Sequence, residues 1–178
     1  LPTVQGEIVQ WGEARALVIE RYDRTAELGR IHQEDLCQAL SVPPDLKYQA
    51  EGGPGPGQVA DALRLVSSRP EEDVRTFVDA LIFSAIVAST DGHAKNYSIL
   101  IEPEGRIRLA PLYDMASLLE YPEKVHPQRL KLAMSVGGEY HRHKLRDRHW
   151  ARLAEEVGIA EERVMARLAE IRDQVGVE

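Results

Sequence analysis

Across residues 70–89 the apolar side chains Val74, Phe77, Val78, Leu81, Ile82, Phe83, Ile86 and Val87 begin as one helical stripe and spread to nearly every face. A helix that is apolar all round is stable only inside a core, so the rest of the chain has to wrap around it. Pro70-Glu71-Glu72-Asp73 supplies the start. Proline has no N–H to lose in a first turn, and the acids meet the positive end of the helix dipole. The helix empties into Thr90-Asp91-Gly92-His93-Ala94-Lys95-Asn96, a polar run expected where the chain leaves that core.

The neighbouring segments can be read around this helix. Residues 7–11 and 16–22 are rich in β-favouring side chains and are separated by Gly12-Glu13, which predicts a hairpin at a sheet edge. Residues 33–40 carry helical spacing and are stopped by Ser41-Val42-Pro43-Pro44. The Gly/Pro run over residues 51–57 is a loop, and residues 58–66 are helical. Beyond the polar run, residues 97–101 and 106–110 flank a turn and predict a second hairpin, with Asp114 just past its second strand. Helices near 148–157 and 160–175 form an amphipathic tail. The fold class is α+β: a mainly helical lobe with one internal hairpin and a short strand segment at its N-terminal end.

Composition narrows the function. With 43% hydrophobic and 29% charged residues, the 178-residue chain can build one domain with a genuine core. Its 22 basic and 29 acidic residues give a formal net charge of −7, which disfavours direct contact with a nucleic-acid backbone. A single cysteine, Cys37, allows no internal disulfide or multi-cysteine metal site and reads as a small buried side chain. The longest uncharged apolar stretch, residues 80–90, is far short of the roughly 20 residues that cross a bilayer. A cytoplasmic protein without membrane contact is expected. The opening Leu1-Pro2-Thr3-Val4, without Met, reads as a segment of something longer.

The polar run carries the chemistry. Phosphoryl transfer needs a carboxylate to orient a hydroxyl and take its proton, together with an amide and a second carboxylate to hold magnesium. Asp91 and Asn96 are separated by four residues, the spacing of that base and that amide, and the following hairpin returns Asp114 toward the Asn. The spacing alone is weak, because a capping Asp and a turn Asn give the same pattern. The order of buried helix, Asp-x-x-x-x-Asn loop, hairpin and Asp is what adds specificity. Lys95 can neutralise phosphate and His93 can contact a nucleotide; a solvated lysine and a turn histidine fit the spacing equally well.

Other polar features carry less. A phosphate cradle works through backbone N–H groups, which Pro54 and Pro56 lack, so the Gly/Pro run is structural. His126, His141, His143 and His149 fall in a basic region expected to be exposed, without metal-ligand spacing.

These residues resemble the C-terminal portion of the HipA family of toxin Ser/Thr protein kinases from bacterial toxin–antitoxin modules. The matching stretches are Ala16-Leu-Val-Ile-Glu-Arg-Tyr-Asp-Arg24, Gln33-Glu-Asp35, Lys47-Tyr48, Glu51-Gly-Gly-Pro-Gly55, Thr90-Asp-Gly-His-Ala-Lys-Asn-Tyr-Ser98, Pro111-Leu-Tyr-Asp114 and Lys131-Leu-Ala-Met-Ser135. The resemblance implies a two-lobed kinase-like fold. Residues 1–24 would end the N-lobe strands and form the hinge, and residues 25–178 would be the helical C-lobe. It implies ATP and Mg²⁺ as cofactors, Asp91 as catalytic base, and Asn96 and Asp114 as magnesium ligands. Glu20, Arg21 and Tyr22 would line the adenine-side hinge, and His93, Ala94, Lys95, Asn96, Tyr113 and Asp114 the nucleotide. Asp23 and Gln33 would be ribose-side or structural neighbours. The implied substrate is a protein, an aminoacyl-tRNA synthetase in the best-known case. The implied partner is a small helix-turn-helix antitoxin, through which the family reaches DNA.

One departure qualifies the expectation. The strand lysine that pairs with the α- and β-phosphates and the loop covering the phosphates are not found in these residues. The 178 residues alone are therefore expected not to transfer phosphate. A kinase-like binding module and a small-molecule phosphotransferase are the alternative readings.

Overall fold

In the computed structural model, which describes residues 1–27, 29–119, 121, 123 and 126–176, the chain opens with an antiparallel ribbon. Strand β1 (Gly6–Trp11) pairs with β2 (Ala14–Ile19), from Gly6 opposite Ile19 to Trp11 opposite Ala14. The expected hairpin is present, and its second strand stops at Ile19 instead of continuing to residue 22. Gly12 turns the chain at a φ of 61°, a conformation glycine adopts without steric cost. The ribbon stands in solvent, with Ile8, Trp11 and Leu17 exposed by 67%, 82% and 66%. Its root is fixed: the Val4 N–H donates to the Leu112 carbonyl at 3.0 Å, and the Leu112 N–H to that of Pro2 at 2.9 Å.

Strand β3 (His32–Asp35) is followed at once by helix α1 (Leu36–Ala39). The one helix expected over residues 33–40 is therefore split. His32-Gln33-Glu34-Asp35 is extended because it pairs antiparallel with β4 (Ser98–Ile101), and that tertiary pairing overrides a segment with no strand pattern of its own. Asp35 then starts α1 through a capping box: its carboxylate accepts from the Gln38 N–H, and Gln38 Oε1 accepts from the Asp35 N–H, both at 2.9 Å. Strand β5 (Ile107–Leu109) completes a sheet in the order β3-β4-β5, so the second expected hairpin is also present.

Helices α2 (Pro56–Val66) and α3 (Pro70–Ile86) pack beside this sheet. Helix α3 occupies the centre that its composition demands, with Val74, Phe77 and Ile82 fully buried. Phe77 stands edge-on to Tyr97 at a centroid separation of 5.0 Å. The first turn of α3 is tied to β5 by buried Asp73, which accepts from the Leu109 N–H at 2.9 Å, from Arg108 Nη2 at 2.9 Å and from Ser67 Oγ at 2.6 Å.

A third hairpin was not anticipated: β6 (Lys131–Val136) and β7 (Glu139–His141), joined by Gly137-Gly138 at φ values of 54° and 86°. Helices α4 (Asp147–Glu156) and α5 (Glu161–Val175) form the tail and bury Trp150, Leu153, Val164 and Leu168. His149 departs from expectation. It is only 6% exposed, because α4 turns it inward, where its Nδ1 accepts from the Arg146 N–H at 3.0 Å. Among the described residues no helix is long and apolar enough to cross a membrane.

Candidate active site

The polar run sits where α3 leaves the core. Residues Ala94–Asn96 form a single 3-10 turn, closed by the Asn96 N–H donating to the His93 carbonyl at 2.9 Å. The β4–β5 hairpin then folds the chain back, so that Asp114 faces Asn96: Nδ2 of Asn96 donates to Oδ2 of Asp114 at 2.9 Å. Asp114 adopts a φ of 56°, in the left-handed region that Asp and Asn tolerate better than most residues. Asn96 is 5% exposed, and its Oδ1 is buried without a hydrogen-bond partner. An orphaned amide oxygen beside a carboxylate is the kind of donor pair a hard cation takes. Among the described residues no cluster of three or more His, Cys, Asp or Glu side chains could hold a metal. Two such oxygens are what a protein commonly offers magnesium, which completes its shell with water and phosphate oxygens.

Asp91 lies at the mouth of this loop with its side chain 69% exposed. Its Oδ1 accepts a hydrogen bond from the Tyr48 hydroxyl at 2.5 Å. Donation to Asp91 pushes the Tyr48 phenol up to about 12, so it stays protonated at neutral pH. The Tyr48 ring meets His93 edge-on, with centroids 5.1 Å apart. His93 is buried, and burial, then the Lys47 charge, lowers its pKa below the ordinary 6.5 and keeps the imidazole neutral. Tyr48 was missed as a site residue. Its position 43 residues before Asp91 hides the contact, and its place in the Lys47-Tyr48 stretch was the one signal.

On the other side of the loop, the Tyr113 hydroxyl donates to the Lys95 carbonyl at 2.9 Å and meets Ser98 Oγ at 2.5 Å. Gln33 Nε2 donates to the same Ser98 oxygen at 3.1 Å, which makes Gln33 a neighbour of the site through β3. Tyr22 stacks on Tyr113 with centroids 6.2 Å apart and planes 18° from parallel. Burial pushes the Tyr113 phenol up to about 12. Glu20 and Arg21 are exposed just beyond β2, and the Arg21 guanidinium forks onto Asp23 at 2.8 and 2.6 Å. That bond, aided by Arg24, holds the Asp23 carboxyl well below the usual carboxylate range. The fold thus brings Asp91, His93, Ala94, Lys95 and Asn96 onto one loop, sets Asp114 against Asn96, and joins Tyr22 through Tyr113. Arg21 is engaged by Asp23, to one side.

A buried helix ending in an Asp-x-x-x-x-Asn loop, with a hairpin returning an Asp onto that Asn, defines a kinase-like lobe. The family model described as the HipA-like C-terminal domain matches residues 1–177. The chain is 42% identical over 161 residues to "Putative kinase Y4mE" of Sinorhizobium fredii, covering 88% of this chain and 37% of that protein. It is 30% identical over 149 residues to the Serine/threonine-protein kinase toxin HipA of Shewanella oneidensis, covering 75% of this chain and 33% of that protein. A chain of the solved complex of Shewanella oneidensis HipA, HipB and operator DNA shares the fold at a TM-score of 0.86 and 23% identity, over 98% of this chain and 43% of that one. This protein belongs to the HipA-like C-terminal domain family. It spans about a third of the length of the curated relatives it matches.

Proposed function

We propose that this chain is the catalytic lobe of an ATP-dependent Ser/Thr protein kinase of a toxin–antitoxin module. The observation that carries the reading is the orphaned buried oxygen of Asn96, on the same loop as the open carboxylate of Asp91 and paired with Asp114 across the β4–β5 hairpin. In this reading Asp91 is the base: it orients the acceptor hydroxyl and takes its proton. Asn96 and Asp114 hold magnesium, which supplies positive charge to the phosphate oxygens. Lys95 and His93 face the nucleotide with Ala94 and Tyr113, and Glu20, Arg21 and Tyr22 form the hinge between residues 1–24 and the lobe of residues 25–178.

The partners follow the same reading. The acceptor is a Ser or Thr of a protein, an aminoacyl-tRNA synthetase being the candidate suggested by the family. The regulator is a helix-turn-helix antitoxin that brings the assembly to DNA, which fits a chain of net charge −7. A relative solved in complex with HipB and operator DNA is consistent with an assembly of this kind. The setting is the cytoplasm. Neither β1 nor β2 carries a lysine for the α- and β-phosphates, so the 178 residues alone should bind ATP weakly and transfer no phosphate.

The test is Asp91→Asn in the complete protein. Phosphate transfer to protein should vanish while magnesium–ATP binding persists. Unchanged transfer would remove Asp91 as base, and label on a small molecule instead of protein would move the enzyme to another acceptor class.

A further inference from the structure

The Gly/Pro run, which the sequence marks as purely structural, shapes the turn that delivers Tyr48. Residues Gln49–Glu51 form a 3-10 turn, and the Tyr48 carbonyl closes it by accepting from the Glu51 and Gly53 N–H groups at 3.0 and 2.9 Å. Gly53 is required at that spot. A Cβ there would lie 2.8 Å from the Tyr48 carbonyl oxygen and closer still to that of Leu46, both backbone atoms that cannot swing away. The turn is fastened on two sides. The Ala94 N–H donates to the Lys47 carbonyl at 3.2 Å, and the Ser135 N–H donates to Gln49 Oε1 at 2.7 Å.

This scaffold ends in one polar contact, the Tyr48 hydroxyl on Asp91 Oδ1. Asp91 is exposed and sits on a loop, and the His93 imidazole comes no nearer its Oδ1 than 4.0 Å, too far for a hydrogen bond to select one rotamer. The phenol, itself fixed by its edge contact with His93, does select one. It occupies Oδ1 and leaves the second carboxylate oxygen for an incoming hydroxyl.

We infer that Tyr48 is a positioning residue for phosphoryl transfer: its hydroxyl fixes the Asp91 carboxylate in the orientation that accepts the substrate proton, and the Gly/Pro turn exists to hold it there. The inference rests on the proposed role of Asp91. A base held within hydrogen-bond reach of the reacting hydroxyl spends more of its time in the reactive geometry, so the gain falls on turnover and not on nucleotide binding.

The experiment compares Tyr48→Phe with Asp91→Asn in the complete protein, measuring kcat, KM for ATP, nucleotide affinity by calorimetry and the thermal midpoint. Phenylalanine keeps the ring against His93 and removes only the hydroxyl. The expected result is a kcat lowered roughly ten- to a hundredfold, the scale of a lost hydrogen bond to a charged group, with KM for ATP, nucleotide affinity and midpoint unchanged. An unchanged kcat in Tyr48→Phe, beside an inactive Asp91→Asn, overturns the positioning role and leaves the base intact. A raised kcat overturns it by making the phenol a brake. A fall in nucleotide affinity or midpoint that accounts for the lost rate overturns it in favour of a structural role. Activity persisting in Asp91→Asn brings down the underlying assignment instead.

Discussion

Asn96 and Asp114, eighteen residues apart, meet at 2.9 Å, with Asp114 in a left-handed backbone conformation at a φ of 56°. Asn tolerates that conformation as Asp does, so Asp114→Asn should fold normally while losing the charge. In the complete protein it should weaken ATP binding at least tenfold, on the order of the loss expected for a charged ligand, when magnesium is present, and much less when it is chelated. Calorimetry with and without a chelator reads the difference; equal losses in both would separate Asp114 from the metal.

Asp73 gathers the Leu109 N–H, Arg108 and Ser67 onto one buried carboxylate. Asp73→Ala leaves a buried amide unpaired and strips Arg108 of a partner. A loss of about 3 kcal/mol in unfolding free energy is expected, read by urea denaturation. A loss below about 1 kcal/mol would mean that the link between α3 and β5 is made elsewhere.

Phe77 is fully buried against Tyr97. Phe77→Ala opens a cavity beside Tyr97 and should cost about 3–5 kcal/mol, lowering the thermal midpoint by many degrees.

Burial holds His149 below its ordinary pKa of 6.5, and burial followed by Lys47 does the same for His93. Well above pH 6.5 both are neutral whether folded or not, so they leave stability unchanged. Below it the unfolded chain takes up protons first, so stability falls as pH drops. Protonation of His149 at Nδ1 also removes the acceptor for the Arg146 N–H. His149→Asn offers an oxygen near the same place without titrating. It should flatten the fall of the midpoint between about pH 6.5 and 5, the span below the ordinary histidine value.

What could be read in advance was whatever a local pattern specifies. Helix α3, the β4–β5 hairpin and the order of Asp91, Asn96 and Asp114 follow from periodicity, turn chemistry and spacing. Strand β3 was hidden, because His32-Gln33-Glu34-Asp35 becomes a strand through its partner β4 and not through its own side chains. The β6–β7 hairpin did carry a signal in Gly137-Gly138 flanked by β-compatible residues, and that signal was passed over. His149 was misjudged because its charged neighbours suggest solvent while the helix phase points it inward. The role of Tyr48 is legible only through its place in the Lys47-Tyr48 stretch, because a contact across 43 residues depends on the whole fold being assembled.

The N-terminal ribbon is rooted by hydrogen bonds of Pro2 and Val4 to Leu112, and Leu112 lies two residues before Asp114. The ribbon that stands furthest into solvent is therefore anchored two residues from a carboxylate of the candidate site. The exposed strands and the Asn96–Asp114 pair are thus joined through the backbone at Leu112.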